Sequence, residues 1–343
     1  MPLTWDHVPV TDYLLLLAPS ANRVYAGESD RLARAELQVT CPDTHDQRVA
    51  EVAGLAYLGF RADELTPVLL ERLAGQSAAL GLFAEEAGLL RPIELPRPDL
   101  LDDDLVTIPK YQGKTNEQFT RLLVNVTLAA SRRSPTRPLD VLDPLCGRGT
   151  TLETAWLMGH NAFGVEADEK AFEAMAAYLR TWLRRKRLKH SASVSPVRRE
   201  GRSLGRRFDA ELKLPASLVM SVFTGDTRQS AALFGKKRFD AIVTDAPYGV
   251  VHGSQTDVRG HAGKRDRSPA GLLREAVPVW AGQLRPGGAL GMSWNTFGLT
   301  REDAATILTG AGLDVLDGPP WTEFAHRVDA SIHRDLMVAV APL

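Results

Sequence analysis

Two stretches of this chain carry residue types whose spacing could do chemistry. The first is Leu142-Asp143-Pro144-Leu145-Cys146-Gly147-Arg148-Gly149-Thr150, which reads as a strand, a glycine-rich turn and the start of a helix over 151–158. Such a turn puts backbone N–H groups and a helix N-terminus at the carboxyl end of a strand, the setting that suits a nucleotide-like cofactor. Gly147 and Gly149 let the backbone pass close to a ligand, because a side chain would occupy the ligand's place. Asp143 can accept from a cationic amino group. The second stretch, Thr244-Asp245-Ala246-Pro247-Tyr248-Gly249, reads as another strand ending in a carboxylate, a proline and an aromatic ring. That ending can orient the exocyclic amine of a nucleobase, a poor nucleophile whose lone pair is delocalised into the ring. Asp245 and the carbonyl of Ala246 or Pro247 would accept its two hydrogens while Tyr248 stacks on the base, in line with an electrophilic methyl. A base inside a folded nucleic acid must first leave its stack, at a cost of a few kcal/mol.

Acids recur at the strand ends between these stretches. Asn161-Ala162-Phe163-Gly164-Val165-Glu166-Ala167-Asp168 puts Glu166 at a strand tip, in phase with the glycine turn and suited to both hydroxyls of a ribose. Asp168 reads as the cap of the helix that follows. Thr224-Gly225-Asp226-Thr227 offers a carboxylate for an adenine amino group, although in isolation it reads equally as a capped turn. No Gly-x-x-x-x-Gly-Lys-Ser/Thr sequence is present, which argues against a nucleotide triphosphatase.

The elements that must position these residues alternate from 138 onward. Strands are expected over 139–143, 162–166, 218–223, 239–245 and 288–293, with two more over 313–316 and 335–341 that can pair at the sheet edge. Strand and helix in turn imply an α/β fold, a doubly wound, mostly parallel sheet with a terminal antiparallel hairpin. A helix over 116–130 precedes it. Residues 1–105 read as a separate small α+β domain, with strands over 13–17 and 52–60 and helices over 29–37 and 64–73. Prolines 92, 96 and 98 and the run Asp102-Asp103-Asp104 place the linker over 91–104. The catalytic domain then spans 106–343, with a basic insertion over 180–215.

The net charge of -1 conceals an asymmetry. Residues 1–105 hold 8 Lys and Arg against 18 Asp and Glu, whereas 106–343 hold 33 against 24. Within 180–207 there are 11 basic residues and a single acid, Glu200. That segment, from Arg184 to Arg207, is the candidate contact for a nucleic-acid backbone, with a solvated helix end and loop as the competing account. Composition, 44% hydrophobic and 24% charged, is that of an ordinary folded protein, and no apolar run is long enough to span a bilayer. With no basic-then-apolar leader, a cytoplasmic location is expected. Cys41 and Cys146 have no partners at metal-ligand spacing, and neither do His252, His261, His326 and His333, which are expected in polar or surface roles. Residues 251–269, glycine-rich and basic, read as a loop that closes over substrate.

The two motifs, with Lys114-Thr115-Asn116-Glu117-Gln118 upstream, resemble the tRNA guanosine N2-methyltransferase group, guanosine-10 type, a THUMP-associated branch of the class I S-adenosylmethionine-dependent methyltransferases. The resemblance covers roughly 106–343. It implies S-adenosyl-L-methionine as cofactor, bound by Asp143, Pro144, Cys146, Gly147, Gly149, Thr150, Glu166, Asp226 and Asn116. It further implies Asp245, Pro247 and Tyr248 as the residues that hold the target base, guanine in tRNA, for methylation at N2 without a metal. The first 105 residues would then be a reduced THUMP or ferredoxin-like region. This chain departs from the group at Ala246, where the first proline of Asp-Pro-Pro-Tyr would stand, and in its acidic N-terminal region. The same chemistry serves an adenine N6 amine in DNA or RNA, and a nucleic-acid-binding module without catalysis is the alternative from another class.

Overall fold

The computed structural model describes residues 11–20, 22–132, 138–199, 202–214, 216–247 and 269–343. The chain begins with β1 (Thr11–Leu17), α1 (Arg23–Ala26), α2 (Ser29–Thr40), β2 (His45–Val52), β3 (Leu55–Ala62), α3 (Pro67–Ala74), β4 (Ala79–Glu86) and β5 (Leu89–Ile93). These strands form an antiparallel sheet in the order β2-β3-β1-β4-β5, so β1, α2, β2, β3, α3 and β4 trace the β-α-β-β-α-β path of a ferredoxin-like split. Leu15, Leu58 and Phe60 of the sheet are buried with Leu37 of α2 and Leu69 and Leu73 of α3. The expected single strand over 52–60 is in fact parts of two. Ala53 and Gly54 take φ of 53° and 79° and turn the chain back on itself. Arg91 and Pro92, read as linker, belong to β5, an edge strand, where proline is tolerated.

Next come α4 (Asp104–Thr107), α5 (Glu117–Ala130), β6 (Asp140–Asp143), α6 (Thr150–Leu157), β7 (Asn161–Glu166), α7 (Glu169–Arg185), β8 (His190–Arg199), β9 (Arg202–Leu212) and β10 (Leu218–Thr224). They are followed by α8 (Ser230–Phe234), β11 (Phe239–Asp245), α9 (Ala270–Ala281), β12 (Leu284–Asn295), α10 (Arg301–Gly310), β13 (Asp314–Val315), β14 (His326–Arg327) and β15 (His333–Val340). The second sheet runs β13-β15-β12-β11-β6-β7-β10-β9-β8. Strands β10, β7, β6, β11 and β12 are parallel, and β15 and β13 are antiparallel additions beyond β12. Leaving out the β8–β9 hairpin and the two-residue β14, which pairs only with β15 off this path, the spatial order is third, second, first, fourth, fifth, seventh, sixth. This is the strand order of the class I methyltransferase fold.

The parallel strands are apolar throughout because both faces are covered. Val141 and Val243 share a core with Phe119 of α5, Trp156 of α6 and Phe172 of α7. Leu142, Ile242 and Leu290 face the other way, with Leu273 and Trp280 of α9 and Leu308 of α10. Trp156 and Trp280 are fully buried, and truncating either to alanine would cost roughly 3–5 kcal/mol. The basic insertion is more ordered than a helix end and loop: after α7 the chain makes the β8–β9 hairpin, which extends the sheet past β10. The two sheets dock through α2 and α5. Glu36 of α2, buried, accepts from the Ser77 N–H at 3.0 Å and from Asn125 Nδ2 of α5 at 2.6 Å. Among the described residues no helix is long and apolar enough to cross a membrane, and no group of three or more His, Cys, Asp or Glu is placed to hold a metal ion.

Candidate active site

The carboxyl ends of the parallel strands share one edge, which gathers Asp143 from β6, Glu166 from β7, Asp226 just after β10 and Asp245 from β11. The glycine turn between β6 and α6 is tied down from several sides. Cys146 donates its N–H to the Val165 carbonyl of β7 at 3.1 Å, and Gly149 donates to the Cys146 carbonyl at 2.7 Å. Cys146 is buried and burial pushes its thiol well up, so it contributes backbone and packing rather than a reactive sulfur. Pro144 is buried beside it. The Thr150 hydroxyl, at the start of α6, bonds the Tyr111 hydroxyl at 2.7 Å.

The two glycines are needed for different reasons. Gly147 has φ of +54°, and a Cβ there would meet no atom within 4 Å, so it borders open space as a ligand-facing position must. Gly149 has φ of +93°, but its missing Cβ would lie 2.9 Å from Met175 Sδ. Protein packing from α7, not a ligand, fills that place, which corrects the expectation for Gly149.

Asp143 lies beneath the turn. It is buried, and its Oδ1 accepts from the Leu145 N–H at 3.0 Å and the Thr244 hydroxyl at 2.9 Å. Burial pushes its carboxyl up to about 7 despite those bonds, and the charge of Asp245 adds to the rise. Glu166 reaches toward the turn from the next strand. Its Oε2 accepts from the Gly147 N–H and its Oε1 from the Asp168 N–H, both at 2.7 Å, while burial raises its carboxyl. Asp168 caps α7 through the Lys170 N–H at 2.9 Å. Asp226 caps the short turn Thr227–Gln229 and is gripped by the Arg228 guanidinium at 2.5 Å, which lowers its carboxyl. Its two oxygens are therefore engaged within their own loop.

Asp245 is held by residues that the sequence did not single out. Thr115 donates its hydroxyl to Oδ2 at 2.6 Å, Ser293 donates to Oδ1 at 2.5 Å, and Arg334 Nη2 lies 3.7 Å from Oδ2. The Arg334 guanidinium is itself buried, 4.6 Å from the centre of the Phe119 ring. Ser293 stands opposite Asp245 in the β11–β12 register, so a strand-end alignment of the two segments would have found it. Thr115 lies in the segment Lys114-Thr115-Asn116, whose third member was favoured instead. Asn116 caps α5, accepting from the Phe119 N–H at 3.0 Å and donating to Ser20 at 3.2 Å, and neither bond reaches the glycine turn. The residue lines a cavity of about 50 Å³ with Tyr25, Lys114, His326 and Arg334. His326 corrects another expectation: it is buried against Tyr25 and Phe119, and burial pushes its imidazole down to about 4.

Ala246 has a structural use at the position where a proline was anticipated. Its N–H, which proline lacks, donates to the Ser293 carbonyl at 2.8 Å and fastens the end of β11 to β12. Pro247 follows, exposed. Tyr248, and with it all but the last residue of the expected loop over 251–269, lies outside the described residues. Trp294 is a core residue that donates to the Leu299 carbonyl at 2.8 Å.

No protein-family model matches the sequence, and no curated protein is significantly similar to it. Among solved structures the chain is similar to TrmN from Thermus thermophilus, at 16% identity and a TM-score of 0.39 over 86% of this chain and 59% of that one. It is also similar to the T. thermophilus 16S rRNA N2 G1207 methyltransferase RsmC in complex with AdoMet and guanosine, at 17% identity and 0.37 over 86% and 58%. A third is the rRNA methyltransferase aviRa from Streptomyces viridochromogenes, at 15% identity and 0.38 over 70% and 91%. The chain thus spans under two thirds of the length of either Thermus protein. Its assignment to the class I methyltransferase fold follows from its own strand order.

Proposed function

We propose that this protein is an S-adenosylmethionine-dependent methyltransferase that modifies the exocyclic amine of a base in RNA, namely guanine N2 in tRNA. The observation that carries this reading is the setting of Asp245, at the tip of the fourth parallel strand, beside the glycine-turn strand, with both carboxylate oxygens fixed by hydroxyl donors. The cofactor would supply an electrophilic methyl on a sulfonium. The residues present fit such a group: Gly147 borders open space with the φ a glycine allows, Glu166 presents a fixed carboxylate for ribose hydroxyls, and buried acids favour a cation. Asp143, Pro144, Cys146, Gly149 and Thr150 shape that turn, while Asp226 stands at the next strand end.

Toward the base, Asp245 accepts one amine hydrogen and the carbonyl of Ala246 or Pro247 accepts the other, which turns the nitrogen lone pair toward the methyl. Thr115 and Ser293 keep the carboxylate from rotating away. As the new N–C bond formed, the S–CH3 bond of the sulfonium would break and leave a neutral thioether, and Asp245 would take the amine proton and pass it to solvent. Tyr248 would stack on the base, and basic residues from within 184–207 would hold the RNA backbone.

Three measurements test this. Radiolabelled S-adenosylmethionine should bind the wild-type protein and Asp245→Ala alike, and unmodified tRNA should be methylated by the wild type only. Nucleoside mass spectrometry should then show N2-methylguanosine. Failure to bind the cofactor at high micromolar concentration would overturn the enzymatic reading, and N6-methyladenosine without methylguanosine would overturn the choice of base.

A further inference from the structure

The cavity beside Asn116 adjoins Asp245 on the side of its Oδ2. Thr115, which donates to that oxygen, stands in the chain between Lys114 and Asn116, and Arg334, 3.7 Å from the same oxygen, belongs to the lining as well. His326 stands opposite Arg334 in the β14–β15 register and lines the same space. Tyr25 of α1 completes it, its ring meeting the His326 ring edge-on at 5.8 Å. At about 50 Å³ the cavity has room for a group the size of a hydroxyl or a water, and not for a base.

One atom of this lining lacks a partner. His326 Nδ1 lies 2.9 Å from the Phe324 carbonyl, a contact that requires the proton to be on Nδ1. Nε2 is therefore an acceptor, and it is buried with no hydrogen-bond partner. Burial holds the imidazole down to about 4, so no proton fills that place at neutral pH. The neighbours are already engaged. Asn116 uses both ends of its amide, on Ser20 and on the Phe119 N–H, and the Lys114 ammonium is held by Glu117 and the Val106 carbonyl. A buried acceptor without a partner is costly, and what Nε2 lacks is a donor.

The edge of the base determines which donor can arrive. Guanine N2 lies on the minor-groove edge, the side on which RNA also displays its 2′-hydroxyls, whereas adenine N6 lies on the major-groove edge. A guanosine whose N2 is oriented by Asp245 thus brings its own ribose hydroxyl on the same side as the amine, toward the space that adjoins this carboxylate. Arg327, the exposed member of the lining beside His326, suits the phosphate attached to that ribose. Resting on the guanine-N2 reading above, we infer that this cavity is a ribose subsite, in which the 2′-hydroxyl of the target guanosine donates to His326 Nε2 and Arg327 meets the adjoining phosphate. The subsite selects RNA over DNA at the nucleotide that is methylated.

Titration calorimetry of the full chain compares guanosine monophosphate with its 2′-deoxy form, and adenosine monophosphate with its own. The guanine ribonucleotide should bind about 3- to 10-fold more tightly than the deoxynucleotide, the worth of one net hydrogen bond, and the adenine pair should bind alike. His326→Phe, checked by thermal melting, keeps a ring against Tyr25 and Phe119 and should abolish the difference by weakening the ribonucleotide alone. Arg327→Ala should weaken both guanine nucleotides and leave their ratio unchanged. The imidazole nitrogen resonances of His326 give the same answer without a variant, since Nε2 should shift on addition of guanosine monophosphate and not of its 2′-deoxy form. Equal affinity for the two guanine nucleotides, binding of neither, or a difference that survives His326→Phe overturns the inference and leaves the cavity to water. A ribose preference shared by the adenine pair overturns the link to guanine N2. The readout needs no methyl transfer: a preference lost in His326→Phe while tRNA stays unmethylated keeps the subsite and removes the proposed reaction, whereas N2-methylation of tRNA with no ribose preference does the reverse.

Discussion

Thr115→Val is the sharpest probe of how Asp245 is held. The substitution keeps the branched shape and removes one hydroxyl, whose 2.6 Å bond to Oδ2 is of the charge-assisted kind that contributes about 1.5–3 kcal/mol. The Asp245 side chain is 18% exposed, so water can replace part of the bond, which brings the loss to about 1–2 kcal/mol. In rate that is about 5- to 30-fold. Ser293 on the other oxygen and Arg334 at 3.7 Å keep the carboxylate in place, so the effect should fall on the methyl-transfer step and not on folding. Single-turnover transfer to unmodified tRNA reads the rate, with thermal melting and cofactor affinity as controls. Ser293→Ala should behave alike, and because both hydroxyls serve one carboxylate, the double variant should depart from additivity by about 0.5 kcal/mol or more. A Thr115→Val rate within about twofold of wild type would mean that the bond does not position Asp245 for catalysis.

Burial pushes the Glu36 carboxyl up from 4.5 to about 7, so its folded form holds a proton that the unfolded chain gives up; the stability this provides is present below about pH 4.5 and lost as pH rises through 7. Glu36→Gln should remove roughly 3 kcal/mol of that pH dependence in urea unfolding at pH 4.5 and 8, and an unchanged slope would show that Asn125 and Ser77 bind an ionised carboxylate. Gly149→Ala should lower the melting temperature, because Cβ would sit 2.9 Å from Met175 Sδ at a φ of +93°, whereas Gly147→Ala should fold at a cost of about 1–2 kcal/mol and lose cofactor affinity instead. Calorimetry that found the two effects interchanged would sink the assignment of the open space. Gly291→Ala places Cβ 1.8 Å from Thr127 Oγ1, so it should be strongly destabilising, with Thr127→Ala restoring part of the loss in a melting assay.

The parallel half of the sheet was legible because its strands are apolar runs between turns, and the five expected segments coincide with β6, β7, β10, β11 and β12 to within a few residues. The hairpin β8–β9 was not. Its inward side chains Phe208, Ala210 and Leu212 alternate with Arg207, Asp209 and Glu211, and the density of arginine concealed a period-two pattern. In the first sheet, β2 is exposed along most of its length and so carries little apolar signal, while the Ala53-Gly54 turn falls within a run that reads as continuous. At the site, the strand-end acids were visible because each closes a strong strand. Thr115, Ser293 and Arg334 were hidden because they come from β12, β15 and the approach to α5, and only the register of neighbouring strands brings them to Asp245. Asp226 shows the converse: its spacing suits a ligand, yet Arg228 two residues on already satisfies it.

The acids along the edge also bear on how a cationic cofactor would be recognised. Burial holds both Asp143 and Glu166 above the ordinary carboxylate range, and neighbouring acids, Asp245 and Asp168 respectively, add to the rise. A sulfonium and an ammonium placed over them favour the ionised forms and pull their pKa values down. Binding must then release protons, and affinity must rise with pH through the region near 7 where Asp143 titrates. The cofactor's own α-ammonium loses its charge nearer 7.7–8.0 and acts in the opposite sense, so the window for the measurement is about pH 5.5–7. A depression of about two units, worth about 2.7 kcal/mol, would release about 0.7 proton at pH 6.5. Titration calorimetry in buffers of different ionisation enthalpy reads that number directly. Asp143→Asn should abolish most of it, and S-adenosylhomocysteine, which lacks the sulfonium charge, should release less. Proton release that is absent in the wild type, or unchanged in Asp143→Asn, would leave Asp143 as a brace for the turn through Leu145 and Thr244, with no electrostatic part in holding the cofactor.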